Sequence, residues 1–236
     1  MIKKLLCWCV LAFLAVSCEE SFVTPDPETR GLNYYPLEVG QYRIYDVTDI
    51  HYQHNVATEA RFQMREWVAD SFLDQTNALT FKIIRSVRPD AQSEWLDDSV
   101  MTVTKNNNSV ILTKDNTKYV KLIFPVADNK TWQPDMYNNR AYETDKKEIA
   151  TYLGVDQPYQ SDTHSYEKTV TVVQEGKFFD PSIGVDYRQE IYARGIGLVY
   201  RMFKRLDYDE CLIGCEELEI LDGHERYEEL VEYGKL

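Results

Sequence analysis

Short runs of β-branched and aromatic residues, each ended by turn residues, repeat along the chain from residue 41 onward. Two further segments, 60–72 and 145–153, fit either a helix or a strand, and the regular spacing of their neighbours favours strand. Strands at this spacing predict an all-β fold, either one antiparallel sandwich or an open, incomplete barrel. The clearest strand-like segments are 41–50, 79–87, 100–105, 110–113, 118–124, 169–173, 185–193 and 197–206.

Turn residues predict how several of these strands are joined. The run Asn106–Asn108 predicts a hairpin, and Asp115-Asn116 predicts a second tight turn. Asp222-Gly223 carries the same signal between segments 217–221 and 226–233, so a third hairpin is expected there. Gly195 separates two further strands.

The alternation within segment 199–205 does not give one apolar face and one polar face. One side would carry Tyr200, Met202 and Lys204. The other side would carry Val199, Phe203 and two arginines, Arg201 and Arg205. Neither face is purely apolar.

The first 18 residues have the layout of a bacterial lipoprotein signal. Lys3 and Lys4 precede the apolar run 5–16, and Ala15-Val16-Ser17 leads to Cys18. An apolar run of about a dozen residues is too short to span a bilayer, where roughly 20 are needed. We therefore expect residues 1–17 to be cleaved and Cys18 to carry the lipid, the alternative being an ordinary secretory signal with Cys18 incidental. The polar segment 18–32 predicts a flexible tether, and residues 33–236 predict a single antiparallel β domain.

Charge and cysteine usage limit the partners. The formal charge of −13 becomes more negative once the two signal lysines are removed, so nucleic acid is not an expected partner. Membrane attachment should come from the acyl chains. Only Cys211 and Cys215 remain free of signal and lipid, and in an exported protein we expect a disulfide between them. Two free thiols, or half of a metal site with His224, are the alternatives.

Four short segments resemble a group of poorly characterised lipoproteins from Bacteroidota. Two of them, 35–42 (YPLEVGQY) and 124–132 (FPVADNKTW), share the order aromatic residue, proline, aliphatic residue, polar turn, aromatic residue. The others are 169–174 (TVTVVQ) and 192–200 (YARGIGLVY). The resemblance implies an outer-membrane, lipid-anchored protein, on the periplasmic face or at the cell surface.

The same resemblance implies two further features. Glu19-Glu20 after the lipidated cysteine resembles a surface-export signal of that phylum, although a solvated tether is the plainer interpretation. Asp98-Ser99-Val100 is similar to the O-glycosylation sequon of those bacteria, which makes Ser99 a candidate glycosylation site.

The residues themselves offer little catalytic chemistry. There is no Gly-x-Ser-x-Gly elbow and no phosphate-binding glycine loop in the sequence. His51 and His54 would point to opposite faces of a strand, so no shared metal ion is expected. Paired carboxylates are the one remaining route to an enzyme, and their candidates are Glu94, Asp97, Asp98 and Glu190. The run Asp207, Asp209, Glu210 lacks the pattern of a calcium loop.

We therefore predict an acyl-anchored cell-envelope lipoprotein with a non-catalytic binding or structural role, without a cofactor. One alternative is a carrier that holds an apolar ligand in a partly open barrel. The other is a glycan-degrading enzyme or an accessory protein to one.

Overall fold

The computed structural model describes residues 26–138, 148–175, 182–209 and 219–236. These residues form a twelve-stranded antiparallel sheet in which consecutive strands pair with each other, except for β6 and β7, and in which the first strand, β1, pairs with the last, β12. The sheet is nearly closed, and β6 and β7 are its two ends, so the predicted incomplete barrel is confirmed. The strands are β1 Gln41–Gln53, β2 Val56–Leu73, β3 Leu79–Arg88, β4 Leu96–Lys105, β5 Ser109–Lys114, β6 Thr117–Ile123, β7 Thr131–Trp132, β8 Ile149–Gln160, β9 Ser165–Glu175, β10 Gly184–Ala193, β11 Gly197–Tyr208 and β12 Ile220–Lys235.

The predicted hairpin at Asp222-Gly223 is wrong, because both residues lie inside the continuous strand β12. Gly223 pairs with Tyr52 on β1 and with Leu206 on β11, so this strand has hydrogen-bonded neighbours on both sides. A Cβ atom on residue 223 would lie 2.5 Å from Leu206 Cδ2. The glycine therefore provides room for close packing within the sheet, and does not form a turn.

Side chains hold together the seam between β6 and the strands at the other end of the sheet. The Tyr152 hydroxyl donates to Ile123 O at 2.9 Å and accepts from Ile123 N at 2.8 Å. Trp132 Nε1 donates to Val120 O, and Val120 N donates to Pro134 O, each at 2.8 Å. These bonds satisfy backbone groups that an open sheet edge would leave unpaired.

The N-terminal segment closes one end of the barrel. It contains a short helix, α1 (Pro27–Arg30), and a 3-10 turn, Leu32–Tyr34. Tyr34 is fully buried, and Lys105 Nζ donates to the carbonyls of Leu32 and Tyr35 at 2.8 and 2.7 Å. Residues 26–32 of the predicted tether are therefore docked on the barrel. Among the described residues, no helix is long and apolar enough to cross a membrane.

Gly40 and Asn129, which occupy matching positions in the two aromatic-proline segments, both have positive φ angles. Their φ angles are +90° and +60°, in the left-handed region that glycine and asparagine tolerate best. Each residue shortly precedes a strand, β1 or β7. Each segment thus has a residue with positive φ just before its strand, a glycine in one and an asparagine in the other, and the Phe124–Pro125 peptide bond of the second is cis.

Candidate functional site

The inner face of the sheet can be identified from one contact across the barrel. Lys121 Nζ on β6 lies 2.5 Å from Glu190 Oε1 on β10, and these strands are far apart in the sheet order. Such a contact requires both side chains to point into the barrel. Every second residue of β10, counted from Glu190, therefore lies on this inner face. The ladder partners of these residues on β11, and the partners of those on β12, lie on the same face.

A network of charged side chains occupies the middle of this inner face. Arg201 on β11 donates to Glu190 at 2.9 Å and to Glu228 at 2.7 Å. The Tyr192 hydroxyl also donates to Glu190, and Arg226 Nε donates to Glu228 at 2.8 Å. Glu228 is only 2% exposed, so its charge is balanced almost entirely by these arginines.

Glu190 belongs to this network and lacks the features of a catalytic acid. Burial raises its pKa, but Lys121 and Arg201 outweigh that effect and lower the pKa to about 2. The other predicted carboxylates have different partners: Asp97 accepts from Ser86 Oγ, and Asp98 accepts from Ser99 Oγ. Glu94 is exposed. The contacts therefore do not join these three acids with Glu190 in one site.

Further along the same face, a cavity of about 560 Å³ opens at the end of the barrel opposite α1. We call it the mouth cavity. It is formed by the last residues of β1 and β11 and the first residues of β12. Its lining combines aromatic rings, carboxylates, an amide and a guanidinium group: His51, Tyr52, Gln53, Phe203, Arg205, Asp207, Asp222, Gly223 and His224.

Two carboxylates face each other across adjacent strands in the mouth cavity. Asp207 on β11 and Asp222 on β12 are direct partners in the antiparallel ladder, and side chains at such positions lie about 5 Å apart at Cβ. Asp222 is exposed. Asp207 Oδ1 is buried and has no hydrogen-bond partner among the described residues. A buried carboxylate oxygen without a hydrogen bond is costly to the fold.

Two imidazoles and a third carboxylate meet beside this pair. His51 on β1 and His224 on β12 are ladder partners, and their rings stack at 4.2 Å between centroids with an interplanar angle of 10°. Asp49 lies two residues before His51 on the same strand face. Its carboxylate is 2.5 Å from His224 Nε2 and 3.8 Å from His51 Nε2. One donor atom from each residue lies within 4.8 Å of the other two.

The sequence did not identify this cluster. His54, the histidine compared with His51, lies in the turn after β1 and is exposed. The histidine that contacts His51 is 173 positions away, and only the pairing of the first strand with the last brings the two together. Prediction of this cluster would have required the register between β1 and β12.

The remaining predicted site residues have the following positions. Cys18, Cys211 and Cys215 lie outside the described residues. Ser99 is partly exposed on β4, and its hydroxyl donates to Asp98 Oδ2 at 2.9 Å. Asp209 follows β11, and Glu210 lies outside the described residues.

No protein-family profile matches this chain, and no curated protein sequence matches it. Among solved structures, it is similar to a proposed exported protein with a YmcC-like fold from Bacteroides fragilis. The identity is 11%, the TM-score is 0.46, and the match covers 85% of this chain and 98% of the other. It is also similar to a proposed lipoprotein from Parabacteroides distasonis, with 10% identity, a TM-score of 0.42 and the same coverage of both chains.

Proposed function

We propose that this protein is an acyl-anchored, non-catalytic lipoprotein of the outer membrane that binds an uncharged, hydroxyl-rich ligand in its mouth cavity. The observation that carries the proposal is the composition of that cavity. Phe203 offers a ring surface, and Gln53, Arg205 and Asp222 offer hydrogen-bonding groups. Saccharides present both apolar C–H faces and hydroxyl groups, and such a lining complements both.

The position of the anchor supports this arrangement. The docked segment places residue 26 at the closed end of the barrel, and at most about 28 Å of extended chain joins it to Cys18. β1 starts at this closed end, and His51 lies ten residues further along, up to about 33 Å away. A lipid on Cys18 would therefore hold the closed end near the membrane and direct the mouth cavity away from it. The same arrangement serves on the periplasmic face or at the cell surface.

Charge on the inner face argues against the apolar carrier. An acyl chain inside the barrel would have to lie against Arg201, Glu190 and Glu228, which already have ionic partners. Contact with an apolar ligand would remove water from these groups without providing new hydrogen bonds. A polar ligand at the mouth avoids this cost.

The pair Asp207 and Asp222 favours glycan hydrolysis as a second candidate. Retaining glycosidases use two carboxyl groups about 5 Å apart, one of which is kept from solvent. Asp207 and Asp222 are ladder partners, and the buried Oδ1 of Asp207 fits the second condition. If the protein released new reducing ends from an oligosaccharide, that result would identify the mouth cavity as an active site.

Anchoring is tested by metabolic labelling with palmitate followed by membrane fractionation. We expect label on the wild-type protein and its recovery with the outer membrane. Cys18→Ala should abolish the label and release the protein from the membrane. A variant that carries no label yet stays equally membrane-bound would refute anchoring through Cys18.

Ligand binding is tested by saturation-transfer NMR with maltoheptaose as the neutral probe, oligogalacturonate as the acidic probe and oleate as the apolar probe. We expect transfer to the neutral saccharide, and its loss in Phe203→Ala. Tyr137→Ala is a matched control, because Tyr137 is an exposed aromatic residue that does not line the mouth cavity. Binding of oleate alone would favour the carrier.

Two modifications remain predictions from the sequence. A disulfide between Cys211 and Cys215 would make the non-reduced peptide 2 Da lighter than the reduced one. Glycosylation of Ser99 would appear as an added hexose mass on the peptide that contains it. Peptide mass spectrometry of the mature protein tests both.

A further inference from the structure

We infer that Asp49, His51 and His224 form a binding site for a divalent transition-metal ion at the rim of the mouth cavity. This inference deepens the proposed function and rests on it in one respect, that the mouth is the end of the barrel where ligands bind. It assigns a specific chemistry to one wall of the cavity.

The three donor groups are already gathered and differ in chemistry. Two imidazole nitrogens and one carboxylate oxygen lie within 4.8 Å of one another. Donors around a tetrahedral zinc ion are about 3.3 Å apart, since Zn–N and Zn–O bonds are about 2.0–2.2 Å long. The set therefore needs to contract by up to about 1.5 Å, and His51 must turn out of the stack, because the lone pairs of two nearly parallel rings cannot both point at one ion. His51 can provide this movement, because its side chain is 63% exposed and lies near the end of β1.

The carboxylate of Asp49 is the charged group that both imidazoles approach. Asp49 is one carboxylate facing two stacked imidazoles, and Arg226 Nη1 also lies 3.5 Å from it. A metal ion would accept a lone pair from each imidazole and a negative charge from the carboxylate. Arg226 keeps its shorter bond to Glu228 at 2.8 Å, so it is not dependent on Asp49.

The donor types select the class of metal. Imidazole ligands suit Zn²⁺, Co²⁺, Ni²⁺ and Cu²⁺, whereas Ca²⁺ and Mg²⁺ prefer a shell of oxygen atoms. Asp207 and Asp222 line the same cavity and add negative charge that attracts a cation. Three protein ligands leave at least one coordination position, which would open toward the mouth cavity for water or for a polar atom of a ligand.

The inference is tested by calorimetric titration of the full-length lipoprotein, purified in non-ionic detergent without a histidine tag, with ZnCl₂ and with CaCl₂. We expect one saturable Zn²⁺ site and no comparable Ca²⁺ site. His51→Ala and Asp49→Asn should each weaken Zn²⁺ binding at least about 10-fold, because loss of a direct ligand costs no less than loss of its supporting groups. Far-ultraviolet circular dichroism confirms that the variants are folded, and the exposure of His51 makes this the expected result.

Two controls exclude other metal sites. His54→Ala removes an exposed histidine three residues from His51 and should leave the Zn²⁺ affinity unchanged. The double variant Cys211→Ser/Cys215→Ser should also bind normally, and the Co²⁺-loaded wild type should show no thiolate-to-cobalt absorption band. The inference is overturned if the wild type does not bind Zn²⁺ saturably, if His51→Ala binds as the wild type does, or if the cysteine variant loses the site.

The outcomes separate this inference from the proposed function. Saccharide binding that persists in EDTA, without any Zn²⁺ site, would leave the proposed function intact and refute only the metal. Zn²⁺ binding without transfer to any oligosaccharide would support the metal site and refute the proposed ligand class.

Discussion

Arg201 is the residue on which the charged interior depends most, and its replacement by methionine should strongly destabilise the barrel. The guanidinium group bridges Glu190 and Glu228, which lie on the strands to either side of β11. Methionine retains the apolar stem and much of the volume, so the change removes the charge with little loss of packing. Two buried carboxylates then keep only the partners contributed by Lys121, Tyr192 and Arg226.

The magnitude follows from Glu190. Its pKa falls from 4.5 to about 2 in the folded protein, and each pH unit corresponds to about 1.4 kcal/mol. Ionised Glu190 therefore stabilises the fold by a net of about 3 kcal/mol at neutral pH, after the cost of its burial. Arg201 shares that contribution with Lys121 but also neutralises Glu228. Removal of one partner from a buried ionic group generally costs about 3–5 kcal/mol. We therefore expect Arg201→Met to lower the free energy of unfolding by about 3 kcal/mol at pH 7.

The assay is urea unfolding of the chain from residue 19 onward, followed by circular dichroism between pH 7 and pH 3. Because the pKa of Glu190 is lower in the folded state, its stabilisation is complete above pH 4.5 and is lost as the pH falls toward 2. The difference between the wild type and Arg201→Met should therefore narrow below about pH 4.5. Arg61→Met is the matched control, since Arg61 contacts Glu59 on the exposed surface and should contribute at most about 1 kcal/mol. Equal effects of the two variants, or a difference that does not change with pH, would refute this account of the interior.

Two further changes test the seam and the turn at the closed end by the same unfolding assay. Tyr152→Phe leaves both Ile123 backbone groups without their partner across the seam and should lower the free energy of unfolding by about 2 kcal/mol. Tyr42→Phe, which loses only an exposed hydrogen bond to Glu232, should have little effect. Similar losses of stability in both variants would contradict a stabilising role for the seam. Gly197→Ala places a Cβ on a residue with a φ of +98°, 3.1 Å from the Arg43 guanidinium, and should lower the free energy of unfolding by about 2–3 kcal/mol. Gly195→Ala, at φ +76° with open space around it, should cost only about 1 kcal/mol. A larger loss for Gly195→Ala would contradict a role for the Arg43 contact.

Local patterns in the sequence were sufficient to predict most strands and the fold class. Asp115 and Asn116 adopt φ angles of +50° and +58°, as a tight hairpin turn requires, and the strand after them begins at Thr117. Segment 60–72, which fitted a helix or a strand, lies within β2. In these cases the short-range pattern and the fold favour the same conformation.

The sequence failed where long-range pairing determines the structure. Asp222-Gly223 has the composition of a turn, but β1 and β11 on either side hold both residues in an extended strand. His51 and His224 likewise become neighbours only when the first and last strands pair. No local pattern encodes the register between segments so far apart, so the cluster with Asp49 could not be predicted before the barrel was known.

The mixture of polar and apolar residues on each face of segment 199–205 is also explained by the barrel, because this segment crosses from the core to the mouth cavity. Arg201, Phe203 and Arg205 all point into the barrel, where Arg201 joins the buried carboxylates and the other two line the mouth cavity. A barrel with an apolar interior would have shown simple alternation along β11. The interior instead changes along the strand, from apolar residues at the closed end, through balanced charges, to the open mouth with Asp207. The balanced charges thus separate a packed core from the polar mouth cavity, and this arrangement is the basis for proposing a polar ligand and a metal ion at that end.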